Sequence, residues 1–184
     1  MANEDVLVMG PAILYIGAFG ASEPAASAYA STPASGAWTN LGYTLDGCEL
    51  SVEQDYKELV ADQTAYKMGA RLQEASFKVK VSLAEPSLNN LVVALNDGTV
   101  ASGSGYHTYE PAFMTSATQP TYRALIVDGY APGGGRARLI VRKILSTDNV
   151  KWKYSKEDQT VFEVEFEGFY VSDVIAPWKM ITED

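Results

Sequence analysis

Few residues in this chain are placed to do chemistry. Its single histidine, His107, sits in GSGYHTYEP, among hydroxyl side chains. A serine–histidine–aspartate triad needs such a base. No nucleophile-elbow sequence accompanies it, so a loop histidine is the simpler reading. Zinc usually draws several His or Cys ligands. This chain offers one of each, His107 and Cys48, far apart in sequence. Gly133-Gly134-Gly135-Arg136 could suggest a phosphate cradle, but the rest of a P-loop pattern is missing and no helix follows. Glu163, Glu165 and Glu167 could be a glycosidase carboxylate pair or oxygen ligands for calcium. Their alternation on a strand makes a solvated face the default. Lys78 and Lys80 read the same way, and could pair with acidic stripes across a neighbouring strand. Trp38, Trp152 and Trp178 could form a sugar platform, although Trp152 shares a face with Val150 and Tyr154 and reads as core. The reading is of no catalytic residue, no cofactor and no metal.

The elements that would carry these residues are mostly strands. A length of 184 residues fits a single domain spanning 1–184, and a hydrophobic fraction of 47% is ample for a core. One cysteine rules out an intramolecular disulfide. The first residues, MANEDVLVMGP, lack the basic and apolar regions of a signal peptide. No apolar run is long enough to span a bilayer, so no membrane partner is expected. A net charge of -9 opposes phosphate-gripping nucleic-acid binding.

Residues 1–10 read as an N-terminal arm and Pro11–Ala18 as a short strand. Gly20–Trp38 is rich in Ala, Ser, Pro and Gly and reads as a surface loop. From Gly47 to Tyr56, Cys48, Leu50, Val52 and Tyr56 take one face and Glu49, Ser51, Glu53 and Asp55 the other, an antiparallel-sheet pattern. Lys57–Ala70 breaks the period. Arg71–Leu83 alternates again, over about 40 Å if unbroken at about 3.3 Å per residue. Pro86 opens a helix whose stripe is Leu88, Leu91, Val92 and Leu95. Thr99–Gln119 reads as a loop. Tyr122–Tyr130 and Arg136–Leu145 form a hairpin about a glycine-rich turn, and Val150–Tyr154 is a short strand. Thr160–Val171 is the last long strand, with Phe162, Val164, Phe166 and Tyr170 inward. Ser172–Asp184 is a tail without clear period. The sum is a mainly antiparallel β-sandwich or barrel flanked by one short α-helix, with long loops or arms available for oligomerisation.

The runs NLGYTLDGCELSVEQDYKELVADQT and GARLQEASFKVKVSLAEPSLNNLVVAL resemble the major tail tube proteins of long-tailed, siphovirus-type bacteriophages. The matching features are an early strand (Leu41–Val52), an acidic-aromatic segment (Glu53–Asp62) and a Gly69-Ala-Arg-Leu72 lead into a long strand. A short helix of the form P-x-L-x-x-L-x-x-A-L (Pro86–Leu95) and a closing strand (Val161–Tyr170) complete them. Gly20–Trp38 and Thr99–Gln119 have no counterpart.

The resemblance implies a virion structural protein of the tail, assembled in the host cytoplasm. It implies hexameric rings whose inner sheets join into one barrel and whose stacking makes the conduit for genome ejection. Tape-measure and tail-terminator proteins are the implied partners, and viral DNA passes without specific binding. The loop at about 57–70, with Lys57, Asp62, Tyr66, Lys67 and Met68, would reach a neighbouring subunit or ring. An acidic wall would keep DNA from sticking. The stripe facing the lumen would be Glu163, Glu165 and Glu167, or else Glu49, Glu53 and Asp55. The competing readings are a β-sandwich that binds carbohydrate or another surface, and an enzyme with a carboxylate pair.

Overall fold

The computed structural model describes residues 12–112, 119–130, 135–151, 154, 156 and 159–183. Its strands are β1 (Ile13–Ala18), β2 (Trp38–Asn40), β3 (Thr44–Leu59), β4 (Gly69–Leu83), β5 (Thr99–Gly103), β6 (Tyr106–Glu110), β7 (Arg123–Tyr130), β8 (Arg136–Ser146), β9 (Phe162–Gly168) and β10 (Trp178–Thr182). The helix α1 (Leu88–Ala94) follows β4. The main sheet runs β2-β1-β7-β8-β9-β4-β3, all antiparallel. β8 divides its second edge: Ala137–Val141 pairs with β10 and Ile144–Ser146 with β9. The sheet folds over at this junction, giving a mainly β sandwich.

Alternation decides which side chains fill the interior. Phe77, Val79, Val81 and Leu83 of β4 meet Phe162, Val164 and Phe166 of β9, and Leu125, Val127, Leu139 and Val141 from β7 and β8. The helix adds Leu91, Val93 and Ala94. Ser87 caps it through the Asn90 N–H at 3.2 Å, and Pro86 precedes the cap. The buried Asn90 amide donates to Leu41 O (2.9 Å) and Glu85 O (2.8 Å), tying the helix to the strand connections beneath it.

The loop expected at 20–38 lies over the other face of β1-β7-β8, where Tyr15, Trp38, Ala124, Ile126 and Ile140 form a second core. Trp38 closes that loop as the first residue of β2. Its ring rests on Gly17, where an added Cβ would come within 2.9 Å of the indole. Its Nε1 donates to Ser22 O at 2.9 Å. Arginines of β8 hold the loop down as a strap. Arg138, 1% exposed, donates to both Asp128 carboxylate oxygens at 2.7 Å and to Ala28 O and Ser31 O. Arg136 reaches Ala30 O. Arg142 pairs with Glu23 through Nε at 2.5 Å and Nη2 at 3.1 Å.

Several expectations need correction. Pairing does not stop at Lys57. It continues to Leu59↔Gly69, so the connection is only 60–68. Backbone hydrogen bonds extend a ladder where neither face is buried and the apolar period has lapsed. Thr99–Gln119 contains the β5–β6 hairpin, turning at Ser104-Gly105 with Gly105 at φ 84°. The Ser172–Asp184 tail contains β10, recruited by the free edge of β8. Tyr170 does not face inward. β9 ends at Gly168 and Tyr170 is exposed, with its hydroxyl donating to Asp173. Val150–Tyr154 supplies an isolated bridge, Lys151↔Glu163. The 1–10 arm and Trp152 lie outside the described residues.

The Arg138–Asp128 pair predicts a specific stability pattern. Arg138→Ala should cost about 3–5 kcal/mol, because it strands a buried carboxylate. The double change Arg138→Met with Asp128→Leu should cost markedly less. Denaturant unfolding of the three proteins checks this.

Candidate functional site

The most unusual surface is the hairpin β3–β4. β3 has 16 residues and β4 has 15, against a common strand length of about 5–6. β9 supports β4 only from Lys78 to Leu83. Beyond that, Gly69–Phe77 has β3 as its only strand partner among the described residues, and the outer edge of β3 has none. The distal half is therefore a two-stranded ribbon with both edges open.

The ribbon is amphipathic. Cys48, Leu50, Val52 and Tyr56 lie on the side that faces the core at the base of the hairpin. Leu50↔Val79 and Val52↔Phe77 are cross-strand pairs. A bulge between Asp55 and Tyr56 sets Tyr56 opposite Leu72, which restores the apolar side one residue out of period. Past the core no described strand or helix lies beneath this side: Leu50, Val52, Tyr56 and Leu72 are 44%, 52%, 51% and 46% exposed. At the base, Ala12, Cys48, Leu50, Val127, Leu139 and Met180 line an apolar cleft continuous with it. The Cys48 thiol is pushed up to about 11 by burial.

The opposite side is charged. Glu49, Glu53 and Asp55 of β3 face Lys80, Ser76 and Glu74 of β4. Lys78, Lys80 and Ser82 in turn face Glu167, Glu165 and Glu163 of β9. The two acidic stripes proposed as alternatives thus share one face, with the lysines of β4 between them. Lys78 Nζ lies 3.0 Å from Glu165. That hydrogen bond, more than any other influence, raises the Lys78 ammonium above its ordinary range.

The expected inter-subunit residues fall along the ribbon's end. Lys57 is in the strand, opposite Arg71. Asp62, Tyr66, Lys67 and Met68 belong to the tip, with Tyr66 84% and Met68 70% exposed. Lys67 pairs with Glu58 across it. Leu72 and the exposed Val60 complete this surface, and the sequence reading missed both. The alternation signal was present at Leu72 but displaced by the bulge.

The enzymatic candidates take ordinary places. His107 Nδ1 lies 2.9 Å from Ser102 Oγ on an exposed hairpin. Trp38 is 3% exposed, which removes it from any sugar platform, and Trp178 is half-buried and stacks on Phe77 with ring centroids 5.4 Å apart. No metal-holding cluster of three or more His, Cys, Asp or Glu occurs among the described residues.

A family model described as phage tail tube protein matches residues 1–184. The chain belongs to the phage tail tube protein family. No curated protein matches it. A tail tube protein is a structural component of the virion tail and works as one of many subunits of a tube. None of its described helices is long and apolar enough to cross a membrane. For a tail tube protein, a ribbon with uncovered edges and one uncovered apolar side is the part of the molecule that calls for a neighbour.

Burial of Cys48 in the apolar cleft predicts slow thiol chemistry. The thiolate is the nucleophile, so alkylation of the folded protein at pH 8 should be far slower than that of the denatured chain. It should accelerate as pH rises toward about 11. The sign follows from the raised value: folding favours the protonated thiol, so this contribution to stability is complete below the unfolded pKa and is lost as pH rises through the folded one. A labelling-rate profile with and without denaturant checks it.

Proposed function

We propose that this tail tube protein closes into hexameric rings, that the rings stack, and that the resulting tube conducts the viral genome during ejection. The observation that carries this reading is the overhanging β3–β4 ribbon, whose outer edges and apolar side no described strand of this chain covers. Small barrels fill with side chains, and wide ones need many strands. A pore wide enough for duplex DNA therefore needs strands pooled from several copies, and cyclic symmetry supplies them through a contact that closes on itself. The whole chain acts as one unit in this scheme. Tape-measure and terminator proteins are the further partners that the resemblance implies.

The β3-β4-β9 face lines the lumen in this proposal. Glu49, Glu53, Asp55, Glu163, Glu165 and Glu167 then act together rather than as alternatives, because the strand register puts them on one surface. Lys78 and Lys80 sit between these carboxylates, which compete with phosphate for them. Cationic walls would hold DNA through counterion release; a predominantly acidic wall lets it slide. The tip, with Lys57, Asp62, Tyr66, Lys67 and Met68, reaches an adjacent subunit or ring. No reacting group is needed anywhere in this scheme. The carbohydrate-binding alternative is weakened by the burial of Trp38, one of the three tryptophans it would use.

Electron microscopy of the purified, assembled protein should show six-fold rings or tubes. A lasting monomer under all assembly conditions, including with the phage's own initiating components, would contradict the proposal. Charge reversal tests the lumen assignment. Glu53→Lys and Asp55→Lys are suitable sites, because the facing residues are Ser76 and Glu74 and no new lysine would oppose another. The double variant should form normal tubes yet eject DNA several-fold more slowly, with added salt relieving the defect. Unchanged ejection kinetics would exclude this face from the lumen.

A further inference from the structure

The strand registers fix where the overhanging ribbon runs. β9 ends at Gly168, opposite Ile144 of β8, and the ribbon continues past it toward the Arg136 end of β8. β7 ends there too, with Tyr130 facing Arg136, and β1 begins there, with Ile13 facing Asp128. The cleft beneath Cys48 and Leu50 lies between the two layers at this end and holds about 280 Å³. Val127, Leu139 and Met180 form one row of its floor. The next row outward is Ala12, Gly129 and Ala137. Packed sheets stand about 10 Å apart, a gap that alanine and glycine side chains do not fill.

The described chain begins at Ala12, within that row of small residues. The residues before it read MANEDVLVMGP. Pro11 brings no N–H with which to prolong the β1 ladder. Val6, Leu7, Val8 and Met9 are an unbroken apolar run, preceded by Glu4 and Asp5. At about 3.3 Å per residue, the chain from Val6 to Ala12 can reach about 20 Å. Leu50 to Tyr56 covers the same length of ribbon by the same measure. The apolar run therefore starts beside the uncovered surface and is long enough to span it.

We propose that residues 6–9 of this chain seat beneath its own ribbon, filling the space above Ala12, Gly129 and Ala137 and covering Leu50, Val52, Tyr56 and Leu72. The segment approaches from the side away from the carboxylates of β3 and β9, so the charged face stays clear. The hydrogen-bonding edges of the ribbon stay open as well. Two requirements are thereby separated. The apolar surface of the free subunit is shielded from indiscriminate association, while the edges remain available to another copy. The contact belongs to the single subunit and forms whether or not rings do.

Photo-crosslinking tests this in the full chain. A benzophenone amino acid replaces Leu7, and the dilute subunit is irradiated. Adducts should join the segment to residues 48–56, Leu72 or Met180 in a product of monomer mass. Adducts confined to other surfaces, or no adduct at all, would overturn the proposal. So would adducts found only at dimer mass, which would place the segment of another copy there. A second variant combines Val6→Ser, Leu7→Ser, Val8→Ser and Met9→Ser. Hydroxyl-radical oxidation of Tyr56, Leu72 and Met180 should rise several-fold in it, and Cys48 alkylation at pH 8 should quicken several-fold, with β7 and β8 amides as slow to exchange as before. Oxidation and alkylation equal to those of the unmodified protein would overturn the proposal. Should this variant fail to fold, the crosslink decides the matter.

Discussion

A β-strand carries unpaired donors and acceptors along any edge without a neighbour, and its two faces need not be covered by the same partner. The behaviour of this tail tube protein follows from where β4 loses its support. From Lys78 to Leu83 it is a central strand, between β3 and β9, with Val79, Val81 and Leu83 sealed in the core. From Phe77 toward Gly69 it has one strand neighbour among the described residues. The alternation of side chains nevertheless continues past the core, so the apolar side of the ribbon continues past the described residues that could cover it. Water-exposed edges and apolar surface of this kind are normally blunted in monomeric proteins. Here they are extended.

The rest of the molecule holds that ribbon to a rigid base. β8 is the organiser: one edge carries β7, and the other is shared by β10 and β9, which joins the two layers. Its inward residues fill the main core. Its outward arginines bind a strap composed largely of small residues that could not fold down on hydrophobic contact alone. A guanidinium satisfies several carbonyls at once from a fixed plane, which suits a segment with few side chains to bury. Arg138 therefore directs its donors to Asp128, Ala28 and Ser31 together. The strap then shields Tyr15, Trp38 and Ile126, and the second face of the sheet gains a core of its own.

Much of this was legible in the sequence, for physical reasons that differ by element. Phe77–Leu83 announced itself because one face is buried and burial enforces a period of two, and Cys48–Val52 carries the same alternation although Leu50 and Val52 stay about half exposed. The helix was legible from Leu88, Leu91 and Leu95. The β5–β6 hairpin was not, because Thr99–Gly103 is small and largely exposed and carries no burial signal. β10 was hidden because its pairing to β8 is set by an edge that only the folded chain presents. Tyr170 misled because its spacing continued that of Phe162, Val164 and Phe166 beyond Gly168, where the strand stops. Among the candidate functional residues, the types and the alternation of both acidic stripes could be read directly. Their union on one face could not, since it depends on the registers of β3 and β9 against β4.

The central claim is that the overhanging ribbon is completed by another copy of the chain. Backbone amide exchange measures this most directly, residue by residue, in the free subunit and in the assembled tube. The account predicts fast exchange along the open edges of 50–59 and 69–77 in the free subunit and strong protection of the same amides in the tube, with the amides of β7 and β8 slow in both. Amides of the ribbon that exchange equally fast before and after assembly would contradict it.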